Sequence, residues 1–145
     1  MKKEFYIDTC IWLNLFKKEG DATKGEPYWK IAEEFIANII RSKDLIIYTG
    51  FILKELKYKL NPIEYLEREN FLKNESSFKF IKAREEDYGL ARRFEKDSNY
   101  EISFFDCVHL AISIRKDCVL VTRDNDFIKF VKKYVKVHKP EGLIT

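Results

Sequence analysis

Glutamine is missing from the sequence altogether. Depletion of thermolabile amides accompanies growth at high temperature, although an AT-rich genome biases composition in the same direction. Prolines number 3 and glycines 5 in 145 residues, and no Gly/Ser/Pro-rich stretch divides the chain, so it reads as one domain over 1–145 with no linker. Cysteine is scarce too: Cys10, Cys107 and Cys118 make an odd count without close pairing. That excludes a disulfide framework and a C-x-x-C zinc site, and leads us to expect reduced thiols in a cytoplasmic protein. No long apolar run exists, because Phe104 to Ile114 is broken by Asp106 and His109 and is too short to cross a bilayer. No signal peptide is visible either, since the basic start runs straight into Glu4 and Asp8. Charge of one sign is also lacking. With 27 Lys+Arg against 24 Asp+Glu, the net charge of +3 excludes binding to nucleic acid by a basic coat alone, so any such contact must come from local patches.

What is present alternates between strand and helix signals. Phe5-Tyr6-Ile7, Leu45-Ile46-Ile47-Tyr48 and Cys118 to Thr122 are short apolar β-prone runs, and Phe78 to Ile81 alternates as a strand does. Between them, Tyr28 to Arg41 carries Ile31, Ala32, Phe35, Ile36, Ile39 and Ile40 at helical spacing. Helices are also expected over Phe51 to Leu60, Pro62 to Lys73, Glu85 to Lys96, Ser103 to Lys116 and Asn125 to Lys133. Gly20 to Pro27 reads as a loop, and Val135 to His138 as a last strand. Continuous apolar strands between helices predict an α/β fold with a mainly parallel sheet covered on both faces.

In such a fold the functional site lies beyond the carboxyl ends of the strands. Asp8 follows the first strand directly, Asp124 follows the Cys118–Thr122 strand, and Glu55 falls in the first turns of the helix after the second strand. Asp106 starts a helix that returns to that same edge by a tight connection at Lys116–Cys118. Each acid alone has an ordinary alternative as a helix cap or solvated residue. Together they predict a cluster whose mutual repulsion calls for a cation. Hard oxygen donors suit one or two Mg²⁺ or Mn²⁺ ions, which acidify a bound water and support displacement at a phosphodiester.

Four blocks resemble the PIN domain, and within it the short VapC-type toxins: Asp8-Thr9 followed by Ile11-Trp12-Leu13; Thr49 to Leu56; Phe105-Asp106-Cys107-Val108-His109-Leu110-Ala111; and Val121 to Phe127. They stand in the family's order and span almost the whole chain. The resemblance implies a three-layer α/β/α sandwich and hydrolysis of RNA by a metal-dependent ribonuclease. Asp8, Asp106 and Asp124 would hold the metal directly and Glu55 through water, with Asp126 assisting and the hydroxyls of Thr9 and Thr122 orienting the acids. Cys10 and Cys107 read as small core residues, His109 as a packed, hydrogen-bonded helix residue, and Trp12 and Trp29 as core or oligomer contacts.

RNA needs positive charge beside the acids. Arg123 and Lys54 are the nearest candidates in sequence, followed by Lys17 and Lys18, with Lys129, Lys132, Lys133, Lys136 and Lys139 as a possible phosphate track. The leading expectation is a toxin endoribonuclease restrained by a small antitoxin and working as a homodimer. The antitoxin would lie across the helices from Phe51 to Lys73, where Tyr58, Tyr65 and Phe71 stand. A housekeeping RNA-processing nuclease and a non-catalytic RNA-binding module are the alternatives. A phosphatase-like or phosphoacceptor domain is disfavoured, because Cys10 occupies the position where such enzymes commonly carry a second aspartate.

Overall fold

A computed structural model describes residues 2–18, 22–23 and 26–144. Its centre is a five-stranded sheet in the order β5-β4-β1-β6-β7, built from β1 (Glu4–Ile7), β4 (Leu45–Tyr48), β5 (Phe78–Phe80), β6 (Val119–Val121) and β7 (Val137–His138). Every pairing in it is parallel. Phe5, Tyr6 and Ile7 are buried, as are Ile46, Ile47, Leu120 and Val121, which is why these strands are apolar on both faces rather than alternating. Among the described residues seven helices flank the sheet: α1 (Thr9–Lys17), α2 (Tyr28–Ser42), α3 (Gly50–Lys59), α4 (Pro62–Asn74), α5 (Glu85–Asp97), α6 (Phe104–Lys116) and α7 (Asn125–Val131). The architecture is the expected α/β/α sandwich. No helix among the described residues is long and apolar enough to cross a membrane.

Local chemistry sets the helix ends. Asn61 accepts from the Glu64 amide at 2.9 Å and Pro62 starts α4, so one dipeptide both stops α3 and opens the next helix. Thr49 caps α3, and Ser103 caps α6 by accepting from the Asp106 amide. α2 and α6 end on Lys43 and Asp117 in the left-handed conformation. α6 is buried continuously from Cys107 to Ser113, because it packs against both the sheet and α5.

Two expectations change in detail. The segment expected as a loop from 20 to 27 contains β2 (Ala22–Thr23) paired antiparallel with β3 (Glu26–Pro27), while its positions 20, 21, 24 and 25 lie outside the described residues. The last strand is shorter than expected at its start. The amides of Tyr134 and Val135 both donate to the Val131 carbonyl in the turn that ends α7, so pairing with β6 begins only at Val137. A 3-10 turn follows at Pro140–Gly142.

The topology positions the site. The chain begins at the central strand, builds β4 and β5 on one side, then returns to place β6 and β7 on the other. Neighbouring connections therefore leave in opposite directions at β1 and β6, which opens a crevice at their carboxyl ends.

Candidate active site

Asp8 lies at that crevice. Its amide donates to the Val121 carbonyl at 2.9 Å, prolonging the β1–β6 pairing by one residue. Its side chain caps α1, with Oδ1 accepting from the Thr9 amide at 2.8 Å and Oδ2 from the Thr122 hydroxyl at 2.8 Å. Only 6% of Asp8 is exposed. The burial, followed by the charge of Glu55, raises its carboxyl pKa, although His109 and Thr122 oppose the shift.

Glu55 reaches the same point from α3. Its Oε1 accepts from the Thr9 hydroxyl at 2.8 Å and lies 2.7 Å from His109 Nε2. The other ring nitrogen of His109 bonds the Tyr6 hydroxyl, which lies 2.9 Å from the Thr49 hydroxyl. A buried chain thus runs from Glu55 through His109 and Tyr6 to the residue that caps α3. Burial alone would lower the imidazole pKa, but the hydrogen bond to Glu55 and the charge of Asp8 outweigh it and hold it above its ordinary value. Both ring nitrogens are engaged, so His109 orients Glu55 instead of standing as an open ligand.

Asp106 projects from the first turn of α6, and among the described residues its carboxylate accepts no hydrogen bond. Burial, then the charges of Asp8, Glu55 and Asp124, push its pKa up to about 7. Asp124 caps α7, accepting from the amides of Asp126 and Phe127 at 3.0 and 3.1 Å. A cleft of about 400 Å³ is lined by Asp8, Thr9, Cys10, Leu13, Glu55, Lys59, Asp106, Arg123 and Asp124. All four expected acids are among these residues.

The donor set suits a hard divalent cation. Ligand atoms of Asp8, Asp106 and His109 lie within 4.8 Å of one another. With His109 Nε2 held by Glu55, the donors that remain are carboxylate oxygens. Cys10 Sγ lies 3.6 Å from Asp8 Oδ2, and burial and then the charge of Asp8 drive its thiol pKa far up. Cys107 is buried, and its thiol is pushed up to about 12, first by that burial.

The expected accessory residues scatter. Asp126 is exposed and absent from the cleft lining. Arg123 lines the cleft but is tethered: its guanidinium donates to Asn14 and Glu141 and stacks 3.8 Å from the centre of the Tyr28 ring. Lys54 faces away, with Nζ 5.9 Å from the Phe105 ring, because one residue along a helix is 100° around it. Lys59, four residues after Glu55 and so on its face, occupies the place expected for Lys54. The Glu55/Lys59 spacing was the signal for it. Lys17 and Lys18 stand at the far end of α1 from Asp8, where Lys18 covers Trp29. Lys132, Lys133 and Lys136 join Lys2, Lys3 and Lys116 around a groove at the amino edge of the sheet, opposite the acids. Trp12 is fully buried in the core, Phe71 packs against Phe16 and Phe78, and Tyr58 remains 72% exposed.

The fold recurs in solved structures of low sequence identity. A chain of the VapBC2 complex from Rickettsia felis, bound to a DNA fragment from its promoter, superposes with a TM-score of 0.70 at 16% identity over 94% of this chain and 98% of that one. A chain of the DNA-bound VapBC from Salmonella typhimurium gives 0.66 at 17% identity, over 97% and 99%. A chain of a toxin–antitoxin complex from Klebsiella pneumoniae gives 0.62 at 15% identity, over 93% and 96%. No curated protein matches the chain. The family model for the PIN domain matches residues 5–133, which takes in every strand and helix that carries an acid of the cleft, and the chain belongs to the PIN domain family.

Proposed function

We propose that the protein is a Mg²⁺- or Mn²⁺-dependent endoribonuclease of the VapC type, the toxin of a toxin–antitoxin pair. The observation that carries this reading is the meeting of Asp8, Glu55, Asp106 and Asp124 at one cleft from four separate elements of a PIN fold. Asp8, Asp106 and Asp124 would hold the divalent ion, which when bound would supply an acidified water and offset the negative charge that builds on the phosphodiester in displacement. The chain's own residues prepare the place. Thr122 and the Thr9 amide fix the two oxygens of Asp8, while Thr9 and His109 fix one oxygen of Glu55. The other oxygen of Glu55 is left to orient the attacking water. Lys59 offers positive charge to a phosphate, and Arg123, held by Glu141, lines the same cleft.

The comparison complexes pair such a chain with a second protein, which supports an antitoxin as partner here. A basic side chain of that partner would pair with the acids in place of the cation. The partner's body would lie on α3 and α4, where Tyr58, Ile63 and Leu66 are exposed. A homodimer acting on cytoplasmic RNA completes the proposal.

The test is RNA cleavage with Mn²⁺ by the wild type and by Asp106→Asn, followed by growth on expression of each. The wild type should cleave and arrest growth, and Asp106→Asn should do neither while keeping its affinity for RNA. Equal cleavage by a folded Asp106→Asn protein would remove the mechanism. Cleavage without any effect on growth would favour a housekeeping RNA-processing nuclease.

A further inference from the structure

A second concavity opens on the same carboxyl edge of the sheet, beside the acid cleft. Gly50, Phe51, Lys54, Phe80, Lys82, Ala83 and Tyr88 enclose about 240 Å³. That is below the roughly 300–1,000 Å³ of pockets for drug-sized ligands and on the scale of one planar ring system. Its walls are aromatic. The Phe51 ring lies 5.9 Å from Tyr88 and 4.9 Å from Phe105, while Phe80 and Tyr88 are 50% and 37% exposed. Its charge has one sign, because Lys54 and Lys82 line it and no acid does. Arg115 donates to the Lys82 carbonyl at 3.2 Å, so the wall that carries Lys82 is anchored to α6. Gly50 leaves the floor open: a Cβ built there meets nothing within 4 Å.

Resting on the nuclease reading above, we infer that this pocket seats a nucleobase of the RNA strand whose phosphodiester lies at the acids. Exposed aromatic faces stack on any base, and flanking lysines take the adjoining phosphates. The position fits, since Phe51, which lines the pocket, is four residues before Glu55 and so on the same face of α3, and its ring lies 4.9 Å from Phe105, the neighbour of Asp106. A base held there belongs to a nucleotide next to the scissile bond or one beyond it. A second copy of the chain is the other natural occupant of an apolar face. Pairing about a two-fold axis would gather both copies' Lys54 and Lys82 in one interface with no acid in the pocket to offset them. Charge complementarity therefore favours the nucleotide.

Gly50→Leu tests this: Gly50 lines the pocket, a Cβ there meets nothing within 4 Å, and the larger side chain takes up pocket volume. The probe is a short single-stranded oligoribonucleotide carrying 2-aminopurine, bound to protein in the non-cleaving Asp106→Asn background. Gly50→Leu should weaken binding by about 10-fold and abolish the quenching of the stacked base. In the cleaving protein it should raise KM while leaving kcat nearly unchanged. If Gly50→Leu does not fold, Lys54→Ala with Lys82→Ala carries the test. Two lost phosphate contacts should reduce the slope of log affinity against log salt by about 1.4. Unchanged affinity, quenching and slope would overturn the inference. A changed sedimentation mass with unaltered RNA affinity would also overturn it, and would assign the face to a second copy. The underlying reading fails separately: absence of RNA cleavage by the wild type with Mn²⁺, alongside quenching that depends on Gly50, would leave an RNA-binding pocket without a nuclease.

Discussion

Asp106 carries the most informative single charge in the protein. Its carboxyl is raised from 3.8 to about 7 by burial and by the neighbouring acids, so without a cation the fold prefers it protonated. A group whose folded pKa exceeds its unfolded value contributes stability below the unfolded pKa and loses it as pH rises through the folded one. Asp8 and His109 are raised as well, so they act in the same direction. Metal-free protein in EDTA should therefore melt at a higher temperature at pH 5.5 than at pH 8, the loss falling between about 4 and about 7 for Asp106. Thermal melts at a series of pH values check this, and a melting temperature that climbs steadily from pH 5.5 to 8 would contradict the carboxylate repulsion described here.

At the scale of elements, α5 and α6 are joined by an ion pair, buried at its acid, with no part in the proposed chemistry. Asp87, 2% exposed, accepts from the Arg84 amide at 2.8 Å and so closes the first turn of α5. It also accepts from Arg115 Nε at 3.0 Å and Nη2 at 2.9 Å, from the last turn of α6. Removing Asp87 leaves the Arg84 amide without its acceptor and the part-exposed Arg115 without its ion pair, at a cost of about 1–3 kcal/mol. Asp87→Ala should thus lower the melting temperature by roughly 2–12 °C, given about 2–4 °C per kcal/mol for a domain of this size. RNA cleavage well below that temperature should be unchanged. A melting curve that overlays the wild type would show that Arg115 finds water instead.

For the whole molecule, a cation bound at the acid cluster would make folding and cation binding one equilibrium. A cation that binds only the folded state stabilises it by about 2.7 kcal/mol at 100 times its Kd. Saturating Mn²⁺ should then raise the melting temperature by roughly 5–10 °C over EDTA at pH 8. It should do so far less for Asp106→Asn, which lacks one of the proposed ligands. Coincident curves with Mn²⁺ and with EDTA for the wild type would argue against a metal centre at the cleft.

The sequence by itself determined the α/β alternation and the edge on which the acids stand. Apolar runs such as Phe5-Tyr6-Ile7 specify buried strands, and an acid one to three residues past a strand can only lie at its carboxyl end. Asp8 and Asp124 were legible for that reason, and Glu55 and Asp106 because short connections return their helices to the same edge. Tertiary structure alone decided what surrounds them. Lys54 beside Glu55 in sequence turns away from the cleft and Lys59 turns into it, because helical neighbours diverge by 100° while fourth neighbours align. Arg123 is tied to Glu141, which arrives from the 3-10 turn after β7, and Asp87 meets Arg115 only when α5 lies on α6. His109 is three residues from Asp106, yet its partners Glu55 and Tyr6 come from α3 and β1. Strand ends are set by local apolar pattern, whereas side-chain partners are set by how separate elements pack, and no local pattern specifies that.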